Sequence, residues 1–193
     1  VAEAPNGFVW VTNDVSHHIV VVHPDSCRWY DTIRFRKGTR PYGVVFAPDQ
    51  KSAFVTMQGT GELVKLDPAG EIVDRLYLGS RVKGLSVSGD SRRIYVSQFI
   101  SKGDHGVVYE VDAKSMRLKR QIALPYDPGP DTEASGRGLP NYLGPLVISP
   151  DDRDGMITGQ KVNVGRGLFM DGSPLTFEST VRPMVSSVNL KRG

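Results

Sequence analysis

Cysteine is all but missing from this chain: Cys27 is alone among 193 residues. One thiol cannot close an internal disulfide, and it cannot supply a CxxCH haem-attachment site or a CxxC redox pair. Long apolar runs are missing as well. None approaches the roughly 20 residues a helix needs to cross a bilayer, so no segment reads as a membrane span. The N-terminal stretch VAEAPNGF lacks the pattern of a signal peptide. Neither sign of charge dominates, since 24 Lys and Arg stand against 21 Asp and Glu for a net charge of +3. Nucleic-acid binding would want a concentrated basic stripe. The one basic cluster, Arg28, Arg34, Arg36, Lys37 and Arg40, reads instead as a solvated strand edge, where cations discourage edge pairing.

Catalytic signatures are absent too. No GxSxG, Walker A, GxGxxG after a strand or HExxH occurs. The histidines are His17, His18, His23 and His105. Neighbours on a strand point to opposite faces, so His17 and His18 cannot serve one ion from a regular strand. Asp152, Asp154 and Gly155 imitate calcium-loop spacing, but Pro150 stands where the first carboxylate belongs and the closing Glu is missing. The segment reads as a turn. No catalytic residue, no metal ligand and no cofactor is therefore assigned within the chain.

What the sequence does contain is a repeat. PYGVVFAPDQKSAFVT (Pro41–Thr56) returns as VKGLSVSGDSRRIYVS (Val82–Ser97) and, blurred, over Tyr142–Thr158. Gly43 to Gly84, Asp49 to Asp90 and Phe54 to Tyr95 are each 41 apart; Trp10-Val11-Thr12 precedes Phe54-Val55-Thr56 by 44; Asp90 to Asp151 and Tyr95 to Met156 are each 61 apart. Gly144 falls one residue out of step. Within a repeat the apolar period is two, as in Val107, Tyr109 and Val111, which places alternate residues on opposite faces of strands. β-Branched and aromatic residues fill these runs. Turn chemistry separates them: Ala47-Pro48-Asp49-Gln50, Ser88-Gly89-Asp90-Ser91 and Ser149-Pro150-Asp151-Asp152 form one series, and His23-Pro24, Asp67-Pro68, Asp112-Ala113 and Asn189-Leu190 begin another.

Four antiparallel strands per 40-odd residues, with no helix between, define the expected fold class: all-β, a β-propeller of four-stranded blades. About four blades are expected, over residues 7–37, 41–79, 82–124 and 143–193, with loop insertions at 125–142 and 160–184. The first blade is expected to lack its innermost strand and the last its outermost, giving fourteen strands. Such a set leaves open edges, so the sequence reads as a segment of a larger propeller, with assembly of two copies into one ring and a degenerate four-blade ring with a poor seam as the rival readings.

PYGVVFAPDQKSAFVT, with GFVWVTND and RRIYVSQF, resembles the YVTN-repeat β-propellers. No Trp-Asp dipeptide points to WD40 repeats. SGRGLPNYLGPLVISPDD and GRGLFMDGSPLTFESTVRPMVSSVNL are similar to a subset of those propellers that occur beside c-type cytochrome modules of the di-haem peroxidase kind. The resemblance implies a periplasmic or extracellular protein. For the parent protein it implies haem c, with a c-type cytochrome as partner.

Long loops on a rigid scaffold are where binding residues gather. Arg137, Asn141, Tyr142, Arg166 and Arg182, in the two insertions, are the candidates for an anionic small ligand or a protein partner at one mouth of the ring. The leading expectation is a non-catalytic binding or scaffold module. Its rivals are the propeller part of a haem redox protein and a metal-dependent propeller lactonase or lyase. The last would need carboxylate or Asn ligands just before Gly43, Gly84 and Gly144, where Tyr42, Lys83 and Leu143 stand instead.

Overall fold

The computed structural model describes residues 1–132, 135–163, 176 and 180–191. Sixteen strands make up the regular structure of these residues, apart from one helical position at Thr180. They form four four-stranded sheets, antiparallel throughout. The first holds β1 (Ala2–Glu3), β2 (Val9–Asn13), β3 (His18–His23) and β4 (Arg28–Arg34); the second holds β5 (Pro41–Phe46), β6 (Ala53–Met57), β7 (Glu62–Leu66) and β8 (Ile72–Tyr77). The third holds β9 (Val82–Val87), β10 (Arg93–Gln98), β11 (His105–Asp112) and β12 (Arg117–Pro125); the fourth holds β13 (Leu139–Asn141), β14 (Leu146–Ile148), β15 (Asp154–Val162) and β16 (Val181–Asn189). This is the radial, blade-by-blade arrangement expected from the repeat.

Among the described residues the core is divided between the sheets. Trp10, Ile19 and Val21 of the first sheet pack on Val44, Ala53 and Val55 of the second. Phe54 and Leu63, on the other face of that second sheet, meet Val82, Ile94 and Val96 of the third, and Tyr95 and Val108 then meet Leu146 and Ile157 of the fourth. Each middle sheet is thus apolar on both faces, which is why β6 is buried at every position while outer strand β8 is largely exposed. Alternation sorts residues between two neighbours here, and between protein and water only at the rim.

The inner hairpin turns share one construction. Gln50, Ser91 and Asp152 adopt left-handed φ values of 60°, 61° and 55°. Their amides bond back to the carbonyls of Ala47, Ser88 and Ser149 at 2.8, 2.9 and 2.9 Å. Asp49, Asp90 and Asp151 each accept a backbone N–H two residues on, from Lys51, Arg92 and Arg153. The calcium-like run is therefore the third copy of a capped turn.

The layout differs from the sequence expectation at both ends. Ala2–Glu3 pairs with Val9–Trp10, so the first sheet does have an innermost strand, too short to show a period. In the fourth sheet β16 occupies one whole edge of β15, and β13 and β14 lie end to end along the other. The break between them, at Tyr142–Pro145, absorbs the one-residue slip at Gly144. Parts of both insertions are consequently strand, namely Leu139–Asn141, 160–162 and 181–184. Alternation over so few residues next to Pro and Gly gives no readable signal.

Candidate functional site

A hydroxyl clasp joins successive blades. Thr12 Oγ1 donates to Tyr42 O at 2.7 Å, Thr56 Oγ1 to Lys83 O at 2.9 Å, and Ser97 Oγ to Gly144 O at 2.7 Å. These donors hold one repeat position, the third residue of Trp-Val-Thr, Phe-Val-Thr and Tyr-Val-Ser. Each acceptor lies at the start of the next inner strand. Gly43 permits the approach, because a Cβ there would sit 2.7 Å from Lys83 O and 2.9 Å from Thr56 Oγ1. The clasp fixes where each inner strand begins, and so fixes the side chains just before it.

Those side chains form a row across three blades. Tyr42 and Lys83 lead the inner strands of the second and third sheets, and Lys83 Nζ lies 4.4 Å from the Tyr42 ring centroid and 3.8 Å from that of Phe99. Phe99 meets Tyr142 edge-on, centroids 5.3 Å apart. Arg40, Arg81 and Tyr142, in the approaches to the inner strands, share φ values of 53°, 62° and 50°. The Gln58 and Phe99 amides bond to the carbonyls of Arg40 and Arg81 at 3.1 and 2.8 Å, pinning those turns. Asp14 closes one end by accepting Arg40 Nη2 at 3.1 Å and Gln58 Nε2 at 2.9 Å.

Partial burial holds the Lys83 ammonium below the ordinary lysine range; Asp14 opposes this, while the positive Arg40 and Arg81 reinforce it. Among the described residues the ammonium has aromatic faces as neighbours and no hydrogen-bond acceptor. Tyr42 and Tyr142 remain 47 % and 41 % exposed at the two ends of the row. The arrangement offers a cation with unspent donors between stackable rings. Among the described residues it pairs no nucleophile with a base, and what it presents is a cation flanked by aromatic faces.

Of the five residues singled out from the sequence, the four described do not converge on one point. Tyr142 joins the row. Asn141 is buried, and its Oδ1 accepts the amides of Ser101 and Tyr142, both at 3.0 Å, so it locks β13 to the third sheet. Arg137 lies against the buried Asp131 carboxylate at 3.3 Å, and its amide donates to the same group. Arg182 stands opposite Lys161 and reaches Thr132 O at 3.4 Å. Both arginines thus brace the 127–138 loop, which Lys161 also anchors through Asp127 at 2.7 Å. The Lys161 hydrogen bond in turn holds the Asp127 carboxyl below its usual range. Arg166 lies outside the described residues. Sequence reasoning did not single out Lys83, Tyr42 and Phe99 as members of one row. Tyr42 and Lys83 share a repeat position, just before Gly43 and Gly84, whereas Leu143, just before Gly144, is buried in the core between the third and fourth sheets.

No protein-family description matches this chain, and no curated protein matches it significantly. Solved structures do. Hydrazine synthase of Kuenenia stuttgartiensis superposes over 98 % of this chain and 50 % of its own with a TM-score of 0.79 at 19 % identity. A putative 6-phosphogluconolactonase from Bacteroides uniformis covers 96 % of this chain and 56 % of its own, TM-score 0.58 and 16 % identity. The dihydro-heme d1 dehydrogenase NirN covers 88 % and 44 %, TM-score 0.50 and 17 % identity. At such identities the likeness shows the fold, a β-propeller, and the chain spans about half the length of these proteins. No helix among the described residues is long and apolar enough to cross a membrane.

Proposed function

We propose that this chain is a non-catalytic binding module of the YVTN-repeat class, acting in the periplasm or outside the cell, whose ligand is an anionic group seated on Tyr42, Lys83, Phe99 and Tyr142. One observation carries the reading. Lys83 is held between two rings, feels two further cations as well as the Asp14 carboxylate, and has no acceptor for its N–H groups among the described residues, so an incoming anion would offset both the repulsion and the lost hydration. The clasp supports the family assignment, since it gives the Thr of Tyr-Val-Thr a physical task at each junction. Compartment rests on that family resemblance. Benzoate titration followed by two-dimensional NMR tests the site: shifts should concentrate at Tyr42, Lys83, Phe99 and Tyr142 and vanish in Lys83→Met. Shifts that ignore the substitution, or fall elsewhere, refute it.

A second reading is favoured by the family resemblance and by a fold neighbour named for a haem substrate: the parent protein is a redox enzyme in which this propeller docks a c-type cytochrome. The anionic group on the row would then be contributed by that partner. A CxxCH motif in the parent polypeptide together with a Soret band in the purified protein would support it, and lack of both would exclude it.

A further inference from the structure

The outer edges of the first three sheets are not finished alike. Each outer strand carries a bulge at the same place, where Asp31, Asp74 and Arg120 stand opposite Val21, Lys65 and Glu110. In β4 the Asp31 carboxylate accepts the amide of Thr32 at 2.6 Å, and in β8 Asp74 accepts that of Arg75 at 2.7 Å. An amide taken by its neighbour's side chain is not offered to a further strand, so both edges are closed at that point. In β12 the equivalent side chain is Arg120, whose guanidinium is engaged by Glu110 Oε2 at 2.6 Å and Leu190 O at 3.0 Å. The amide that follows, Gln121, has no side-chain acceptor among the described residues. The third of these strands is also the longest, nine residues against seven and six, and its Gln121 and Ala123 are exposed.

We propose that the free edge of β12 is a strand-addition site for an extended acidic segment of a partner protein, which pairs with the outward backbone groups of Gln121 and Ala123. No residue of the Tyr42–Lys83–Phe99–Tyr142 row takes part. Backbone pairing supplies the affinity in this mode of recognition. Its direction follows from register: Thr32, Arg75 and Gln121 stand opposite Val20, Val64 and Tyr109, so the Gln121 amide points outward as the other two do, and Ala123 follows two residues on. Pro125 has no N–H and ends the ladder. Charge names the occupant. The strand RLKRQIALP carries three cations and no carboxylate, whereas β4 and β8 contain Asp31 and Asp74. Arg117 pairs with no carboxylate among the described residues, and Lys119 stands 3.9 Å from Asp112 and is half exposed. A second copy of this chain is disfavoured at the same edge, because two β12 strands side by side would set these cations against each other. An acidic strand reverses the sign of that interaction.

Titrating the chain with the capped heptapeptide Glu-Thr-Glu-Val-Glu-Thr-Glu, followed by two-dimensional NMR and amide hydrogen exchange, tests this. Shifts should concentrate on Gln121 and Ala123, and exchange of those two amides should slow by about tenfold or more at saturation, while Thr32 and Arg75 stay unchanged. Ala123→Pro removes one outward N–H where an edge strand tolerates proline, and should weaken binding about tenfold. The same peptide N-methylated at every residue keeps the charge and loses its donors, so it should fail to bind whatever Ala123→Pro does to the fold. Equal binding of the N-methylated peptide would show attraction by charge alone and overturns the proposal. So do equal protection at Thr32 and Arg75, shifts confined to Lys83 and its ring neighbours, and equal binding of a peptide with Lys in place of each Glu. Protection of Gln121 that grows with protein concentration in the absence of peptide assigns the edge to a second copy and likewise overturns it.

Discussion

Phe54 in the second sheet and Met156 in the fourth stand at one place in one repeat, yet they differ from 1 % to 60 % in exposure. Around Phe54 the third sheet supplies Val82, Ile94 and Val96; around Met156 the described residues supply no neighbouring sheet. A blade therefore does not bury its own apolar face. Burial here belongs to pairs of consecutive repeats, as in other quasi-one-dimensional architectures, and stability divides into sheet terms and junction terms. The junction between the second and third sheets and the open face of the fourth form an internal control, with the same chemistry tested with and without a partner.

The largest contrast should come from truncating the aromatic. Phe54→Ala should cost about 3–5 kcal/mol in denaturant unfolding, whereas Met156→Ala should change stability by about 0.5 kcal/mol or less. Similar losses at both sites would show that the fourth face is covered after all. Next come the glycines. An added Cβ at Gly84 collides with Ser97 Oγ and the Gly144 carbonyl, a backbone atom that cannot swing aside, whereas at Gly144 it approaches Thr158 alone. Gly84→Ala should therefore cost roughly 1–3 kcal/mol more than Gly144→Ala, measured by thermal melts. The clasp follows. Thr56 Oγ1 accepts Gly43 N–H and donates to Lys83 O, both at 2.9 Å, so Thr56→Val strands two half-buried backbone groups and should cost about 1–3 kcal/mol. Thr158→Val should be silent in the same assay.

The smallest expected effect sharpens the comparison from the other side. Tyr95 fills the place of Phe54 but carries a hydroxyl that is buried with no hydrogen-bond partner among the described residues. Burial first, then the nearby Glu110 carboxylate, push its phenol up to about 12. The folded state thus holds this proton more tightly than the unfolded one, so the contribution is complete below pH 10.0 and is lost as pH rises from 10.0 towards 12. Tyr95→Phe should leave neutral-pH stability unchanged or slightly higher and flatten the alkaline decline. A steeper decline in the variant would mean that another group carries it.

Legibility from sequence tracked repetition. The inner hairpins over Ala53–Met57 and Arg93–Gln98 were plain because Asp49/Asp90 and Phe54/Tyr95 recur at one spacing, and one capped turn needs one set of residues. The short β1 and the split β13–β14 edge were not, since two or three residues beside Pro and Gly carry no period. The row at the mouth was half legible. Tyr142 was named, but through loop composition, while Lys83 and Phe99 were passed over because nothing local distinguishes them. Arg137 and Asn141 were named for their place in a long loop, and the contacts that fasten that loop to its own sheet became visible only in the structure.

By itself, then, the sequence determined the unit, four antiparallel strands with capped turns and an aromatic–Val–hydroxyl signature, because these follow from local backbone preferences and the two-residue period of a strand. Only the tertiary structure decided what the unit's residues do. The same hydroxyl is a clasp at Thr56 and solvent-facing at Thr158, and the same alternation buries both faces of β6 yet leaves the outward face of the fourth sheet open. The reason is that contact partners come from the adjacent blade, and radial packing brings together residues far apart in the chain, such as Tyr42 and Lys83, that no local pattern connects.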